Sequence, residues 1–350
     1  MSVRSAKPRV AINGFGRIGR TVFRILSQRN DVEVVALNDL TDHETLAYLC
    51  RYDTVHGRFP GPVELVRGRL RAGSQDVQIL NETSPRQLPW DRLEVDVVVE
   101  ATGVFRQRAQ LEQHLAAGAK RVILTVPAKD EIDATVVLGV NDDVLRPAHR
   151  LVSNASCTTN CLAPLAKVLH EQFGIVKGYV TTVHAYTNDQ RLADVPHSDL
   201  RRSRAATENI IPTTTGAARA VGQVLPELDG KLDGMAMRVP VPDGSTVDLV
   251  VELEQPTSVD AINASMKEAS ASGPLKSVLE YTEEPLVSSD IIRNPHSAIF
   301  DAPSTRVLGG NFAKVIAWYD NEWGYASRVV DLIDRLSVMA APAAVALRGQ

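Results

Sequence analysis

A cysteine among small hydroxyl residues is the most informative chemical feature of this 350-residue chain. Cys157 lies within Ser153–Asn160 (SNASCTTN), directly before an apolar stretch that favours a helix, Leu162–Phe173. Unpaired backbone N–H groups and the helix dipole favour an anion at the start of a helix. We therefore expect the pKa of Cys157 to be lowered and its thiolate to act as a nucleophile. Taken alone, the motif also fits a buried structural cysteine with helix-capping neighbours.

A glycine-rich turn near the start of the chain predicts a dinucleotide site. The short apolar run at Arg9–Asn13 is followed by Gly14–Gly19 (GFGRIG) and then by apolar residues at helical spacing. A strand, a glycine turn and a helix in this order are the context that a dinucleotide fingerprint requires. Gly14 permits the tight turn, Gly16 lets the backbone approach a pyrophosphate, and Gly19 lets the helix pack closely on the strand.

An acidic residue after the next apolar run indicates which dinucleotide is bound. Val32–Leu37 ends at Asn38 and Asp39, 25 residues beyond Gly14. This is near the position where a carboxylate accepts hydrogen bonds from the adenosine ribose. A carboxylate there would also repel a 2′-phosphate, so we expect NAD rather than NADP. An ordinary turn aspartate after a strand is the alternative.

His184 is a candidate general base. It follows Cys157 by 27 residues and lies in a β-branched, alternating run, Val180–Thr187, that predicts a strand. A histidine on a strand is also compatible with a satisfied core group. The spacing alone does not place His184 beside Cys157.

Bulk composition excludes several classes of protein. Hydrophobic residues make up 44% and charged residues 23% of the chain, and the net charge is −4, which gives no support to nucleic-acid binding. No apolar stretch approaches the roughly 20 residues of a membrane helix. The first residues, Met1–Pro8, lack the apolar segment of a secretory signal, and three cysteines fit a reducing cytoplasm.

Cys157 and Cys161 could be read as a metal or redox pair, but no nearby Cys or His completes a zinc site. We therefore expect no metal, and Cys161 to be a small buried residue.

The chain length allows two domains, and the pattern changes near its middle. The first 150 residues alternate strands and helices, which predicts a Rossmann-type, doubly wound and largely parallel α/β sheet. Beyond the runs already named, the expected strands are Val63–Val66, Val77–Leu80, Val95–Glu100 and Val122–Thr125, with a helix at Arg108–Ala117; Val136–Val140 and Leu151–Ser153 lead to the nucleophile. The later half predicts an α+β domain with a mainly antiparallel sheet. Its expected strands are Tyr179–Ala185, Met235–Val239, Thr246–Leu253 and Phe312–Tyr319, and its expected helices are Gly216–Leu225 and Val259–Ser270, with a final amphipathic helix at Ala326–Leu336.

These motifs together resemble the phosphorylating glyceraldehyde-3-phosphate dehydrogenases of the bacterial glycolytic type. The resemblance runs from Arg9 to about Leu336. Besides the nucleophile motif it rests on Asn13–Arg20 (NGFGRIGR), Thr182–Thr187 (TVHAYT), Asp199–Arg202 (DLRR), Pro212–Ala218 (PTTTGAA), Gly234–Pro240 (GMAMRVP) and Trp318–Tyr325 (WYDNEWGY).

The resemblance implies a domain plan and an assembly. Residues 1–156 with 321–350 would form the NAD-binding domain, because the final helix returns to it, and residues 157–320 the catalytic domain. Residues 188–209 would form the S-loop, which lines the cofactor site of a neighbouring subunit in a homotetramer. Within it, Val195-Pro196 stands where NAD-preferring members carry an apolar residue and proline. The alanine-rich end, Ala341–Gln350, lies beyond the match, and we expect it to be a frayed tail.

The resemblance also implies the reaction and the role of each site residue. Cys157 would attack the aldehyde of glyceraldehyde 3-phosphate to give a hemithioacetal, with His184 as general base. Loss of hydride to NAD would leave a thioester, which inorganic phosphate releases as 1,3-bisphosphoglycerate. Thr187 and Arg238 would hold the substrate phosphate, and the attacking phosphate would be held by Ser156, Thr158, Arg202, Thr215 and Gly216. The cofactor would be held by Gly14, Phe15, Gly16, Arg17, Ile18, Asp39 and Thr125, with Asn321 on the nicotinamide carboxamide and Tyr325 close to it.

A few departures leave the exact role open. Thr125–Pro127 (TVP) stands where Ser-Ala-Pro is usual, and Ile292–Asn294 and Ala298 replace smaller or hydroxyl residues. The chain could be the main glycolytic copy or a second copy tolerant of thiol-directed inhibitors. An erythrose-4-phosphate or NADP-preferring paralogue is an alternative, as is a binding protein on an inactive scaffold. The intact Cys157, His184 and anion-binding residues argue against that last reading.

Overall fold

A computed structural model describes residues 7–340 of the chain. The expectations for residues 1–6 and for the alanine-rich tail at 341–350 lie outside the described residues. Within residues 7–340, no helix is long and apolar enough to cross a membrane.

The first half of the chain forms a nine-stranded sheet with the order β3-β4-β5-β2-β1-β6-β7-β9-β8. Its strands are β1 (Arg9–Asn13), β2 (Glu33–Asn38), β3 (Val63–Val66), β4 (Arg69–Ala72), β5 (Gln75–Leu80), β6 (Val97–Glu100), β7 (Arg121–Leu124), β8 (Ala134–Thr135) and β9 (Leu151–Ser153), and its helices are α1 (Arg17–Leu26), α2 (His43–Arg51) and α3 (Arg108–Ala116). All neighbours from β5 to β8 pair in parallel, whereas β3, β4 and β5 form antiparallel hairpins. The central strands β6 and β7 are buried along their whole length, as in a sheet covered on both faces.

The prediction of a Rossmann-type sheet is confirmed, with one local difference. Val136–Val140 is not a strand: the strand lies earlier, at β8, and the residues after it form a turn that continues towards a short 3₁₀ helix at Asp142–Val144. The side chain of Asn141 stabilises this turn, because its Oδ1 accepts the Val137 N–H at 2.8 Å. The apolar run Val136–Val140 therefore contains a turn, although its composition favours an extended strand.

The second half forms an eight-stranded sheet with the order β11-β12-β10-β13-β17-β15-β14 and β16 paired with β17. Its strands are β10 (Ile175–Ala185), β11 (Ile211–Thr214), β12 (Leu232–Val239), β13 (Ser245–Leu253), β14 (Leu279–Thr282), β15 (Ala298–Asp301), β16 (Arg306–Leu308) and β17 (Phe312–Tyr319); the remaining helices are α4 (Cys157–Phe173), α5 (Ala217–Val224), α6 (Val259–Ala271) and α7 (Trp323–Ala340), with further 3₁₀ turns at Pro85–Gln87, Pro226–Leu228, Gly273–Leu275 and Ala302–Ser304. The sheet is mainly antiparallel, and only β10–β12 and β14–β15 pair in parallel. Alternate residues of β13 are buried, so one face of this strand packs against the core.

Two apolar cores meet at the start of α4. Val329, Ile333 and Leu336 of α7 are buried in the same core as β1 and α1, and the Arg29–Asp334 ion pair, at 2.8 Å, joins the segment after α1 to α7. The apolar residues of α4 are buried in the other core, with β10, β13 and β17. Cys157 packs against both cores. The fold therefore places this thiol at the junction of the two sheets.

Candidate active site

A strained turn carries Cys157 from β9 to the first position of α4. Ala155 has a φ of 53°, in the left-handed region that is costly for a residue with a Cβ. The Tyr325 hydroxyl donates to the Ala155 carbonyl at 3.0 Å, and this bond helps to hold the turn. The Ser156 Oγ caps the helix by accepting the Thr159 N–H at 3.0 Å.

The fold brings Cys157 and His184 together. The Cys157 Sγ lies 3.5 Å from the His184 Nε2, at the distance of a hydrogen bond to sulfur. His184 is buried near the end of β10, and Arg238 is its direct neighbour across the parallel strand β12. The Tyr319 ring meets the imidazole edge-on, with centroids 5.8 Å apart. This pair of side chains can act as a nucleophile and its base.

The second ring nitrogen of His184 has two competing partners. Its Nδ1 lies 2.7 Å from the Ala185 carbonyl oxygen and 2.7 Å from the Arg238 Nη1. A proton on Nδ1 would be donated to the carbonyl and would leave Nε2 as an acceptor facing the thiol. The other tautomer would accept from Arg238 and point its Nε2–H at the sulfur. Burial, and next the charge of Arg238, lower the pKa of His184 to about 3, so the imidazole is neutral at pH 7 and a weaker base than an exposed histidine.

The expected direction of the Cys157 pKa shift is not what the structure shows. Burial raises the pKa of the Cys157 thiol, because the thiolate loses hydration at the junction of the cores. The charge of Arg238 and hydrogen bonds from Thr158 act in the opposite direction. The sequence motif showed the helix start that favours an anion, but it did not show how deeply the sulfur is packed. Together, the raised pKa of Cys157 and the lowered pKa of His184 favour the neutral thiol and imidazole over the thiolate–imidazolium pair.

Tyr319 is a site residue that sequence reasoning did not single out. It is buried, and its hydroxyl is hydrogen-bonded to the Thr158 Oγ1 and the Thr182 Oγ1, each at 2.9 Å. It thereby links the start of α4 to β10, beside the His184 ring. The available signal was its place in the Trp318–Tyr325 motif at the end of a predicted strand.

The residues expected to bind phosphate occupy two neighbouring places. Arg238 lies on β12 beside His184, while the Arg202 Nε donates to the Thr213 Oγ1 at 2.8 Å and its Nη2 to the Thr214 carbonyl at 3.2 Å. Arg202 also pairs with Asp189. Burial lowers the pKa of Arg238, and the nearby positive charge of Arg202 adds to this effect. The positive charges of these two arginines favour the binding of anions beside them.

The hydroxyl residues around these arginines have internal partners. The Thr187 Oγ1 donates to the Gln190 Oε1 at 3.1 Å, and the Thr215 Oγ1 accepts the Ala217 N–H at 3.2 Å. Gly216 precedes α5 and offers no side-chain cap, so N–H groups of the first turn remain available there. Backbone and hydroxyl donors of this kind suit the binding of a phosphate.

The glycine turn between β1 and α1 fits a dinucleotide. Gly14 has a φ of 93°, and a Cβ there would lie 2.6 Å from the Thr102 nitrogen. A Cβ on Gly19 would lie 2.0 Å from the Gly14 carbonyl oxygen, whereas open space surrounds Gly16. No side chain caps the N-terminus of α1, so its N–H groups can receive a pyrophosphate. On these observations the residues present fit NAD.

Several expected cofactor residues use their side chains elsewhere. Phe15 is buried in the core, and its ring lies 5.6 Å from that of Phe23. Arg17 forms ion pairs with Glu322 and, at 2.6 Å, with Asp53. Ile18 is partly buried and packs against the same core as Phe15. These three side chains are therefore engaged within the fold, and the backbone N–H groups of Arg17 and Ile18 remain available at the turn.

Two other expected cofactor residues hold the strand ends. The Asp39 Oδ2 accepts the Phe15 N–H at 2.8 Å, which ties the end of β2 to the glycine turn. The Thr125 Oγ1 donates to the Glu100 carbonyl at 3.0 Å, just beyond β7. Both residues lie at the carboxyl edge of the parallel strands, where doubly wound sheets receive their ligands.

Glu100 is a second residue that the sequence reasoning missed. This buried carboxylate ends β6 and accepts hydrogen bonds from the Asn13 Nδ2 at 2.6 Å, the Thr102 N–H at 2.9 Å and the His114 Nε2 at 3.0 Å. The His114 Nδ1 accepts the Trp90 N–H at 3.0 Å, so the imidazole proton lies on Nε2. A charged residue at the end of an otherwise apolar strand was the signal. Its bonds stabilise the residues on both sides of Gly14.

Asn321 lies at the junction between β17 and α7. Its Oδ1 accepts the Ser245 hydroxyl at 2.6 Å. Tyr325, one turn further along, is buried beside the Cys157 turn. The two residues expected near the nicotinamide thus lie on the segment that connects the two cores.

A buried group of three side chains adjoins this segment. Ligand atoms of His56, Asp243 and Asp320 lie within 4.8 Å of one another, close enough to surround a metal ion. Asp320 already accepts N–H groups from Glu322, Trp323 and Arg293. Burial, and next the charge of Asp320, raise the pKa of Asp243 far above its usual range. The protonated form of Asp243 is therefore favoured beside Asp320.

Comparison with known proteins agrees with this geometry. Residues 8–108 match the family model for the NAD binding domain of glyceraldehyde 3-phosphate dehydrogenase, and residues 156–321 match the model for its C-terminal domain. The chain is 58% identical over 325 residues to glyceraldehyde-3-phosphate dehydrogenase of Geobacillus stearothermophilus, covering 93% of this chain and 96% of that protein. It is 56% identical to the enzymes of Streptomyces coelicolor, over 93% of this chain and 97% of that protein, and of Borreliella burgdorferi, over 94% and 99%.

These matches confirm the expectation of an NAD-dependent oxidoreductase built from a Rossmann domain and a catalytic domain. The family models cover strands β1 to β6 and the whole second sheet, and the second model begins at Ser156, directly before Cys157. The chain belongs to the glyceraldehyde-3-phosphate dehydrogenase family.

Proposed function

We propose that this protein oxidises D-glyceraldehyde 3-phosphate with NAD and inorganic phosphate to 1,3-bisphosphoglycerate and NADH, with Cys157 as nucleophile and His184 as base. The observation that carries the proposal is the 3.5 Å approach of the Cys157 Sγ to a neutral His184 Nε2 at the start of α4. Membership in the family supplies the substrate class.

Each step requires a particular residue at the reacting atoms. His184 takes the thiol proton of Cys157, and Sγ then bonds to the aldehyde carbon. The aldehyde oxygen takes that proton from His184, which gives a hemithioacetal. His184 next removes the hydroxyl proton as the carbon loses hydride, which leaves a thioester on Sγ. Bound NAD supplies the acceptor for that hydride. A phosphate oxygen then attacks the thioester carbon, and the Cys157 thiolate departs. General base catalysis of this kind contributes about 10²–10⁴-fold to the rate.

Two anion sites serve the two phosphates of the reaction. Arg238 and Thr187 would hold the phosphate of the substrate, because Arg238 lies beside the base. The attacking phosphate would be held by Arg202 with Ser156, Thr158, Thr215 and Gly216. The bonds from Arg202 to Thr213 and Thr214 support this assignment, since they bring its guanidinium to the segment that leads into Thr215.

The cofactor would lie across the glycine turn and the carboxyl edge of the first sheet. Gly14, Gly16 and the backbone N–H groups of residues 16–18 would meet the pyrophosphate beside Phe15, and Asp39 the adenosine ribose. Asn321 would hold the nicotinamide carboxamide, with Thr125 and Tyr325 nearby. In this plan, residues 1–156 with 321–350 form the NAD-binding domain and residues 157–320 the catalytic domain, although residues 1–6 and 341–350 are outside the described part.

The proposal extends to the assembly and its compartment. Leu192 and Leu200, in the S-loop at 188–209, and Ile210, directly after it, are 77%, 82% and 67% exposed. Large apolar side chains exposed in one region favour contact with another subunit, which supports a homotetramer. The three cysteines are all free thiols, as expected for the cytoplasm.

A steady-state assay tests the function directly. NADH formation should require glyceraldehyde 3-phosphate, NAD and inorganic phosphate together, and should be far slower with NADP or with erythrose 4-phosphate. Absence of turnover with the complete mixture, or a higher kcat/KM with erythrose 4-phosphate, would contradict the proposal. Size-exclusion chromatography with light scattering tests the tetramer.

A further inference from the structure

A buried serine joins the base to the residue proposed for the nicotinamide. Ser245 is the first residue of β13 and is fully buried. Its Oγ lies 3.0 Å from the Ala185 nitrogen and 2.6 Å from the Asn321 Oδ1. The serine therefore connects β10 with the start of the segment that leads to α7, two places that are far apart in sequence.

The direction of each hydrogen bond follows from the chemistry of the atoms. A backbone N–H can only donate, so the Ser245 oxygen accepts from Ala185. The single hydroxyl hydrogen of Ser245 is donated to the Asn321 Oδ1, since an amide oxygen can only accept. This arrangement turns the Nδ2 end of Asn321 away from Ser245. Without the serine hydroxyl, this hydrogen bond no longer distinguishes the oxygen end of the amide from its nitrogen end.

The carbonyl group of the same residue, Ala185, lies against the proposed base. The Ala185 carbonyl oxygen lies 2.7 Å from the His184 Nδ1 and accepts from the Arg238 Nη1 at 2.9 Å. One peptide segment therefore faces the imidazole with its carbonyl and Ser245 with its N–H. Because both contacts are buried, a displacement of Asn321 relative to His184 would have to break one of them.

We propose that Ser245 is a positioning residue that fixes the amide of Asn321, so that its Nδ2 donates to the carboxamide oxygen of the nicotinamide. This inference rests on the proposed function, in which Asn321 binds that carboxamide. The hydroxyl of Ser245 is hydrogen-bonded to Ala185 and Asn321 rather than to the Cys157 or His184 side chain. Its effect is on how the nicotinamide end is recognised.

A binding experiment distinguishes this role from general support of the fold. The Kd values of NAD and of 3-acetylpyridine adenine dinucleotide are measured by calorimetry for the wild type and Ser245→Ala. The analogue keeps the ring carbonyl but lacks the amide NH₂. In Ser245→Ala the Asn321 amide can rotate and present its oxygen to the ligand. NAD can then reverse its carboxamide and donate from its NH₂ group, whereas the analogue has no NH₂ group to donate. We expect the analogue to lose roughly three- to tenfold more affinity than NAD, as for one neutral hydrogen bond.

Ser297 provides a matched control. It is also buried, and its hydroxyl has no hydrogen-bond partner within residues 7–340. Ser297→Ala should leave the ratio of the two Kd values unchanged. Ser245→Thr keeps the hydroxyl and should keep the wild-type ratio even if the extra methyl group lowers stability.

The outcomes separate the inference from the proposed function. An unchanged Kd ratio in Ser245→Ala overturns the positioning role, and so does the same altered ratio in Ser245→Thr. If the wild type turns over glyceraldehyde 3-phosphate but Ser245→Ala keeps the wild-type Kd ratio, the proposed function stands and only this inference is overturned. A wild-type protein with no affinity for NAD would overturn both.

Discussion

The guanidinium of Arg238 lies against the imidazole of His184, with 2.7 Å between the Arg238 Nη1 and the His184 Nδ1. This contact places a positive charge beside both members of the reactive pair. The charge lowers the pKa of His184 and opposes the effect of burial on the pKa of Cys157. A group proposed to bind substrate thus also sets the protonation of the nucleophile and its base.

Removing this charge should change the reactivity of the thiol. In Arg238→Gln, the pKa of Cys157 should rise further, because its largest opposing charge is lost. The pH midpoint of inactivation by iodoacetamide should therefore move to a higher pH than in the wild type. Arg201→Gln, which alters an exposed neighbour of Arg202, is the control. An identical midpoint in all three proteins would contradict the effect of Arg238.

Replacing the nucleophile should separate chemistry from cofactor binding. Cys157→Ser should abolish acyl transfer, because a serine alkoxide is hardly populated at neutral pH. The Kd of NAD, measured by calorimetry, should stay close to that of the wild type, since the glycine turn is untouched. Residual turnover above about a tenth of the wild-type rate would exclude Cys157 as the nucleophile.

The carboxylate of Asp39 should determine cofactor preference. Asp39→Ala removes the group expected to repel a 2′-phosphate, so the kcat/KM ratio of NADP to NAD should rise. NAD binding should also weaken, because the Phe15 N–H loses its partner. Asp42→Ala is the control: this nearby aspartate caps α2 by accepting the Thr45 N–H, so its loss should leave the ratio unchanged. Equal use of both cofactors by the wild type would show that Asp39 was misread.

Replacing Arg238 and replacing Arg202 should impair different steps of the reaction. Arg238→Ala should chiefly raise the KM for glyceraldehyde 3-phosphate. The expected loss of binding free energy is roughly the 1.5–3 kcal/mol of a charged hydrogen bond. Arg202→Ala should chiefly weaken saturation by inorganic phosphate and keep the pre-steady-state burst of NADH, because the thioester forms before the second phosphate is needed. Loss of the burst in Arg202→Ala, with its retention in Arg238→Ala, would reverse the two assignments.

The buried carboxyl of Asp243 should make the protein less stable as the pH rises. Its ordinary pKa is 3.8 and its pKa in the folded protein is raised, mainly by burial. Between those two values the folded state keeps a proton that the unfolded chain has lost, so the free energy of unfolding falls with increasing pH. Asp243→Asn should reduce this loss between about pH 5 and about pH 8, as measured by urea denaturation.

Asp233 provides the matched control for that experiment. Each aspartate precedes a glycine and accepts its N–H, at 2.9 Å for Asp243 and 2.8 Å for Asp233, but Asp233 is exposed. Asp233→Asn should keep the wild-type pH dependence. If Asp243→Asn also keeps it, Asp243 does not hold the proton.

The local features of this protein were predictable from its sequence because they depend on neighbouring residues. The glycine spacing at Gly14–Gly19 imposes the turn between β1 and α1, and the apolar alternation of Thr246–Leu253 imposes a strand with one buried face. The small hydroxyl residues before Cys157 likewise mark the start of α4. The resemblance of these motifs to one family then indicated the reaction, and the comparisons confirmed that family.

Only the tertiary structure decided the contacts between distant segments and the solvation of the groups that they enclose. Cys157 and His184 are 27 positions apart and nothing in that spacing requires a 3.5 Å approach, and Ser245 and Asn321 are 76 positions apart. The raised pKa of Cys157 likewise depends on two cores that close over the sulfur. A residue pattern encodes turns and periodicity, whereas burial, charge proximity and hydrogen-bond direction arise only when the packed elements bring such atoms together.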